Sequence, residues 1–69
     1  MENDTFLRKT GMKIKLFRIA NDLTLDELAV KCGYHRHSIA KIERGEKDAR
    51  LLTLKAIADV FGIEVKDFL

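Results

Sequence analysis

Three glycines limit the lengths of the elements this chain can build. Gly33, Gly45 and Gly62 each stand just behind an apolar run of helical spacing, in a sequence without proline. Glycine accepts the left-handed backbone that ends many helices, so each reads as a stop signal. The run before Gly33 opens at Thr24, with Glu27 three residues later at the spacing of a capping box, and Leu25, Leu28, Ala29 and Cys32 form its apolar stripe. A second run, about Arg36 to Arg44, turns Ile39 and Ile42 inward and stops at Gly45. A third, about Leu51 to Phe61, buries Leu54, Ile57, Ala58 and Phe61 before Gly62. Helices this short bury their stripes only by packing on one another.

Ahead of these runs, residues from about Phe6 to Asn21 also keep helical periodicity. Ile14, Phe17 and Asn21 share one side, with Leu7 and Thr10 further back, and Gly11 offers a break that would divide the run. Asn21-Asp22 reads as a turn, and residues 45–50 as a polar loop. Residues 1–5 are polar and are expected to be a flexible end, which sets the domain at 6–69. Behind Gly62, Ile63-Glu64-Val65 leads into a last turn at Phe68-Leu69. Strand-like alternation never exceeds four residues. The expected fold is all-α, a compact bundle of four to five short helices around a single core, which 69 residues with 46% apolar content can just supply. No run approaches eighteen consecutive apolar residues, and no basic region followed by an apolar run opens the chain. With one cysteine, Cys32, no internal disulfide forms. These features predict a cytoplasmic protein without a membrane partner.

The net charge of +2 hides a strong segregation. Residues 8–18 hold Arg8, Lys9, Lys13, Lys15 and Arg18 with no acid, a local +5. Residues 31–50 hold six cations against Glu43, Glu46 and Asp48, a local +3, while the segments between and around them are acidic. Folding that gathers the two basic segments on one face produces a surface for a polyanion. Separate solvated helix faces are the plainer outcome.

The two helices around Gly33-Tyr34-His35 are joined by three or four residues containing glycine, the spacing of a helix-turn-helix unit over about residues 24–44. Ala29, small and inward, lets the crossing helix come close. Ile39 and Ile42 anchor that helix, leaving Arg36, His37, Ala40, Lys41 and Arg44 on its outer side. A short basic face of this kind suits base edges and phosphates in a major groove.

The run Leu23-Thr24-Leu25-Asp26-Glu27-Leu28-Ala29, then Gly33, then Ile39-Ala40-Lys41-Ile42-Glu43-Arg44-Gly45, resembles the Cro-type or XRE-family helix-turn-helix, the lambda-repressor-like DNA-binding domain. The likeness continues through Thr53-Leu54-Lys55-Ala56-Ile57-Ala58 and Phe61-Gly62-Ile63 to Phe68-Leu69, without a gap over roughly residues 12–69. That family includes phage repressors, restriction–modification controller proteins and small bacterial regulators. The resemblance implies double-stranded DNA as partner, with Arg36, His37 and Ser38 reading bases and Arg44, Lys47 and Arg50 along the phosphates; Lys41, one turn on, is expected to join the base readers, and the hydroxyls of Thr24 and Tyr34 to hold phosphates. It also implies a structural ion pair between Arg18 and Glu43. It further implies a homodimer on an inverted repeat that represses or autoregulates, paired through the last element. There Val65, Phe68 and Leu69 are expected to leave apolar area exposed.

Four positions depart from the family pattern. Leu25 stands where a phosphate-touching and bracing Gln is usual, His35 where a small polar cap is usual, and Ala40 where Ser is common. Asp48-Ala49-Arg50 replaces a frequent Asn-Pro-Ser. Outside DNA binding, Cys32, His35 and His37 lie close in sequence but lack a fourth ligand for zinc, so no metal or other cofactor is expected. No paired acid and base, activated nucleophile or phosphate loop points to an enzyme, and no small-molecule ligand is evident. The rival reading is an antitoxin or anti-regulator that grips a protein through Leu16, Ile19 or the C-terminal patch.

Overall fold

The computed structural model describes residues 2–69 of the chain. Among them the order is α1 (Glu2–Ala20), α2 (Leu25–Cys32), α3 (Arg36–Glu43), α4 (Leu51–Phe61) and a 3₁₀ helix (Val65–Phe68), with no strand. The boundaries of α2 and α4 follow the glycines. Both helices end on a left-handed residue, Gly33 at φ 80° and Gly62 at φ 68°. Between α1 and α2 the chain reverses through Asp22 at φ 57°, a conformation that Asp tolerates because its short side chain bonds locally.

α1 differs most from expectation. It begins at Glu2, so residues 2–5 are helical rather than a loose end, while Met1 lies outside the described residues. It also runs unbroken through Gly11. That glycine serves a close approach instead. A Cβ placed there would stand 2.2 Å from the Ile42 carbonyl oxygen and 2.6 Å from that of Glu43. α1 therefore lies directly on the C-terminal half of α3, backbone against backbone. The same crossing explains Ala40, expected on the outer side of α3 but only 7% exposed: α1 covers it.

Ile14, Leu28, Ile39, Ile57 and Phe68 are the largest fully buried side chains, one from each element. Phe17, Phe61 and Phe68 pack as a trio, with ring centroids 5.7–6.5 Å apart and both pairs that include Phe68 edge-to-face. Lys13 Nζ donates to the Leu69 carbonyl at 2.8 Å and fastens the 3₁₀ helix to α1. This corrects the expected pairing patch. Phe68 is 1% exposed and belongs to the monomer's own core, and Val65 packs against that core. A chain of this size has too few large side chains to leave a Phe outside. Leu69 alone of the three stays open, at 56%.

Candidate nucleic-acid interface

The helix pair is assembled from local chemistry. Thr24 Oγ1 accepts from the Glu27 amide at 3.1 Å, and Glu27 Oε1 accepts from the Thr24 amide at 2.8 Å, a complete capping box. The bond from the Thr24 backbone, then that from its side chain, holds the Glu27 carboxyl below the usual carboxylate range. At the other end the amides of Gly33 and Tyr34 both donate to the Ala29 carbonyl, at 2.9 and 3.0 Å, which tightens the turn. His35 then starts α3 without a side-chain cap, as its residue type suggested.

α3 and its C-cap residue present His37, Lys41 and Arg44 at i, i+4, i+7 spacing on one outer surface, all exposed. Arg36 is exposed at the N-terminal end, and its Nε lies 3.2 Å from Asp26 Oδ1. Where Leu25 offers Arg36 no polar partner, the next residue of α2 forms an exposed ion pair with it. Sequence reasoning overlooked Asp26 in this role; an acid in the first turn of α2, facing the start of α3, was the available signal. Ser38 is half-buried and lines a cleft together with Tyr34.

A cleft opens on each side of this face. The loop-side cleft, about 330 Å³, is lined among others by Tyr34, Ser38, Lys47, Arg50 and Leu52. The α1-side cleft, about 430 Å³, is lined by Arg8, Met12, Lys15 and Arg18 of α1, Leu25 of α2, and Ala40, Glu43 and the adjoining Arg44 at α3. The structure thus groups the expected phosphate contacts into two banks, Tyr34, Lys47 and Arg50 on one side and Arg44 on the other. Thr24 lines neither cleft and sits at the α2 cap; while accepting there, its hydroxyl keeps its own proton to donate. Arg44 also bonds Glu46 through Nε and Nη2 at 3.0 and 3.1 Å, which raises the guanidinium pKa and lowers that of the carboxyl.

Beneath the α1-side cleft lies the ion pair. Arg18 donates from Nε to Glu43 Oε2 at 2.8 Å and from Nη2 to Oε1 at 3.2 Å, while Nη1 donates to the Leu23 carbonyl at 2.8 Å. The side chains are 13% and 5% exposed, so the fork is largely desolvated. It ties α1, the α1–α2 turn and α3 together, and Glu43 is scaffold. Cys32 packs half-buried against the core with its Sγ 3.7 Å from the Ala29 carbonyl, and burial pushes its thiol pKa up. Among the described residues no group of three His, Cys, Asp or Glu side chains is placed to hold a metal ion.

A bundle in which one helix crosses another through a glycine turn, with a basic outer face, defines a helix-turn-helix DNA-binding domain. The helix-turn-helix (HTH_3) family model matches residues 14–68, and the chain belongs to that family of DNA-binding transcriptional regulators. It is 38% identical over 55 residues to an HTH-type transcriptional regulator of Methanocaldococcus jannaschii, covering 80% of this chain and 83% of that protein. It is 32% identical over 60 residues to the control protein C.BamHI of Bacillus amyloliquefaciens, covering 86% and 74% respectively. The restriction–modification controller protein C.AhdI of Aeromonas hydrophila superposes with a TM-score of 0.88 at 27% identity, covering 91% of this chain and 96% of that one. No described helix is long and apolar enough to cross a membrane.

Proposed function

We propose that the chain is a sequence-specific regulator that binds double-stranded DNA in the cytoplasm as a homodimer on an inverted repeat, and that it represses or autoregulates transcription. The observation that carries this reading is the exposed row His37, Lys41 and Arg44 set between two cation-lined clefts. A helix lying in a major groove meets a sugar–phosphate strand on either side, and this surface has that layout. Arg36, His37, Ser38 and Lys41 read base edges. Arg36 is the strongest reader, since its fork can take O6 and N7 of guanine together, worth ~1–3 kcal/mol of discrimination. Arg44, Lys47, Arg50, Tyr34 and Thr24 hold phosphates.

One domain of this size offers few phosphate contacts, so pairing on two half-sites is the route to useful affinity. With Val65 and Phe68 spent in the core, Leu69 and the neighbouring exposed Phe6 are the apolar remnant available near the C-terminus. Regulation by the protein's own concentration fits a domain of this kind, and two of the similar proteins are control or controller proteins. Selection of bound fragments from randomised duplex tests the reading. The expected result is a two-fold symmetric site preferred ~10³-fold or more over scrambled duplex, with Arg36→Ala weakening the selected site more than the scrambled one. Uniform binding of all sequences would overturn it.

A second reading, in which the main partner is a protein, rests on Leu16 and Ile19. They are 57% and 52% exposed on the side of α1 away from the core. It predicts that Leu16→Ala and Ile19→Ala abolish regulation in cells while duplex binding is kept.

A further inference from the structure

We infer that α1 is itself part of the DNA-binding surface. Arg8 and Lys15 form a phosphate-binding bank on the side of the reading helix opposite the α3–α4 loop. This rests on the DNA-binding reading above and assigns the basic segment of α1 that the reading leaves without a role.

The argument starts with charge that has nowhere else to go. Four cations line the α1-side cleft, Arg8, Lys15, Arg18 and Arg44, against one acid, Glu43. Glu43 is consumed by the bidentate fork of Arg18, and Arg44 is shared with Glu46. Among the described residues Arg8 and Lys15 enter no ion pair. Both are exposed, and the other side chains that line the cleft beside them, Met12, Leu25 and Ala40, are apolar and offer an anion no competing carboxylate. Seven residues apart on α1, they lie two turns or ~10 Å from each other along one face.

Placement supplies the second argument. Ala40 and Glu43 line this cleft, as does Arg44, the last member of the exposed row of α3. The loop-side cleft carries Lys47 and Arg50 across the helix. A duplex seated on that row brings one strand's phosphates to each cleft. The loop bank has two lysine or arginine side chains of its own; without α1 the opposite bank has only Arg44, already engaged with an acid. Arg8 and Lys15 restore the balance. They are also fixed relative to α3, because Gly11 brings the α1 backbone onto Ile42 and Glu43. A Cβ at Gly45 would meet Arg8 Cγ at 2.8 Å and its Cα at 2.9 Å. The α1 bank and the reading helix therefore approach DNA as one rigid unit.

The test is the salt dependence of binding to a mixed-sequence duplex about two helical turns long, for wild type and for Arg8→Gln/Lys15→Gln. Gln keeps the aliphatic stem that packs near Gly45. Each phosphate contact contributes about −0.9 to the slope of log K against log salt, so the double variant is expected to lose ~1.8 of slope and, with affinities that converge at 1 M, to bind ~60-fold more weakly than wild type at 0.1 M. The loss is expected to be the same for selected and scrambled duplex, because phosphates carry no sequence. Lys55→Gln/Lys66→Gln removes equal charge outside both clefts and is expected to keep the wild-type slope. A double variant of unchanged melting temperature with the wild-type slope would overturn the α1 bank. Equal slope losses in both double variants would overturn it too, leaving only net charge. A wild-type protein without duplex affinity would overturn the DNA reading itself.

Discussion

α2 and α3 are both eight residues long and stand on either side of one turn, yet they are held in place by different means. α2 carries its own order: a reciprocal capping box at Thr24, acids in its first turn, Lys31 in its last, and a left-handed glycine at its end. These are the devices that stabilise a helix from within. α3 has no side-chain cap at its start and no acid in its first turn; only its end resembles that of α2, with the left-handed Gly45 one residue beyond the Arg44 C-cap. Its order is imposed from outside, by Ile39 and Ile42 in the core, by the α1 backbone at Gly11, and by the Arg18 fork on Glu43. The difference is a division of labour. The proposed reading helix thus starts without a capping side chain, and neighbouring elements supply much of its stability.

If that division holds, the largest losses belong to the external supports of α3. Glu43→Ala strands a largely buried guanidinium and is expected to cost ~3–5 kcal/mol, a large part of the stability of so small a domain. The paired change Arg18→Met/Glu43→Leu is expected to recover most of it in thermal or urea unfolding. Gly11→Ala comes next. Its methyl group meets two backbone carbonyls rather than a movable side chain, so the loss is expected at or above the ~1–3 kcal/mol of ordinary overpacking. DNA affinity is expected to fall with it, because α1 must lift from α3. The internal devices of α2 weigh less. Thr24→Ala is expected to cost ~1 kcal/mol, and His35→Ser, which gives α3 the cap it lacks, to gain up to about 1 kcal/mol. A gain at His35 as large as the Glu43 loss would break the comparison, since α3 would then be limited by its cap. The smallest effect is one of pH. The Glu27 carboxyl is more acidic in the folded chain than in the unfolded one, so the unfolded state takes up the proton first as pH falls. Its contribution is present above the ordinary carboxylate range and is lost as pH drops through the lowered folded value. Glu27→Gln is expected to flatten the acid limb of melting temperature against pH.

The limits of α2, α3 and α4 were legible because capping chemistry and glycine stops act over a few residues. So was the Arg18–Glu43 pair, through the family resemblance. What was not legible depended on contacts between distant segments. Gly11 reads as a helix breaker until the carbonyls of α3 are seen to need its missing side chain. Ala40 lies on the outer side by periodicity and is covered because α1 crosses there. Phe68 closes a core that a periodicity argument ends at Phe61. At the proposed DNA face, the residue types of α3 could be read directly, but the two clefts, the Arg36–Asp26 ion pair and the position of Arg8 beside Gly45 arise only when three helices meet.

The trio of Phe17, Phe61 and Phe68 has a consequence for the order of assembly. Phe17 and Phe68 stand far apart in the sequence, so their contact closes a much longer loop than any contact within the α2–α3 pair and carries a larger closure entropy. The α2–α3 pair needs only a short loop and local caps. On this ground the helix pair is expected to form early and the rings late, so that loosening the rings is expected to speed unfolding more than it slows folding. The part of the domain proposed to meet DNA is thus topologically the simplest, and the domain's lifetime in the folded state is expected to depend on three phenylalanines that lie outside that face.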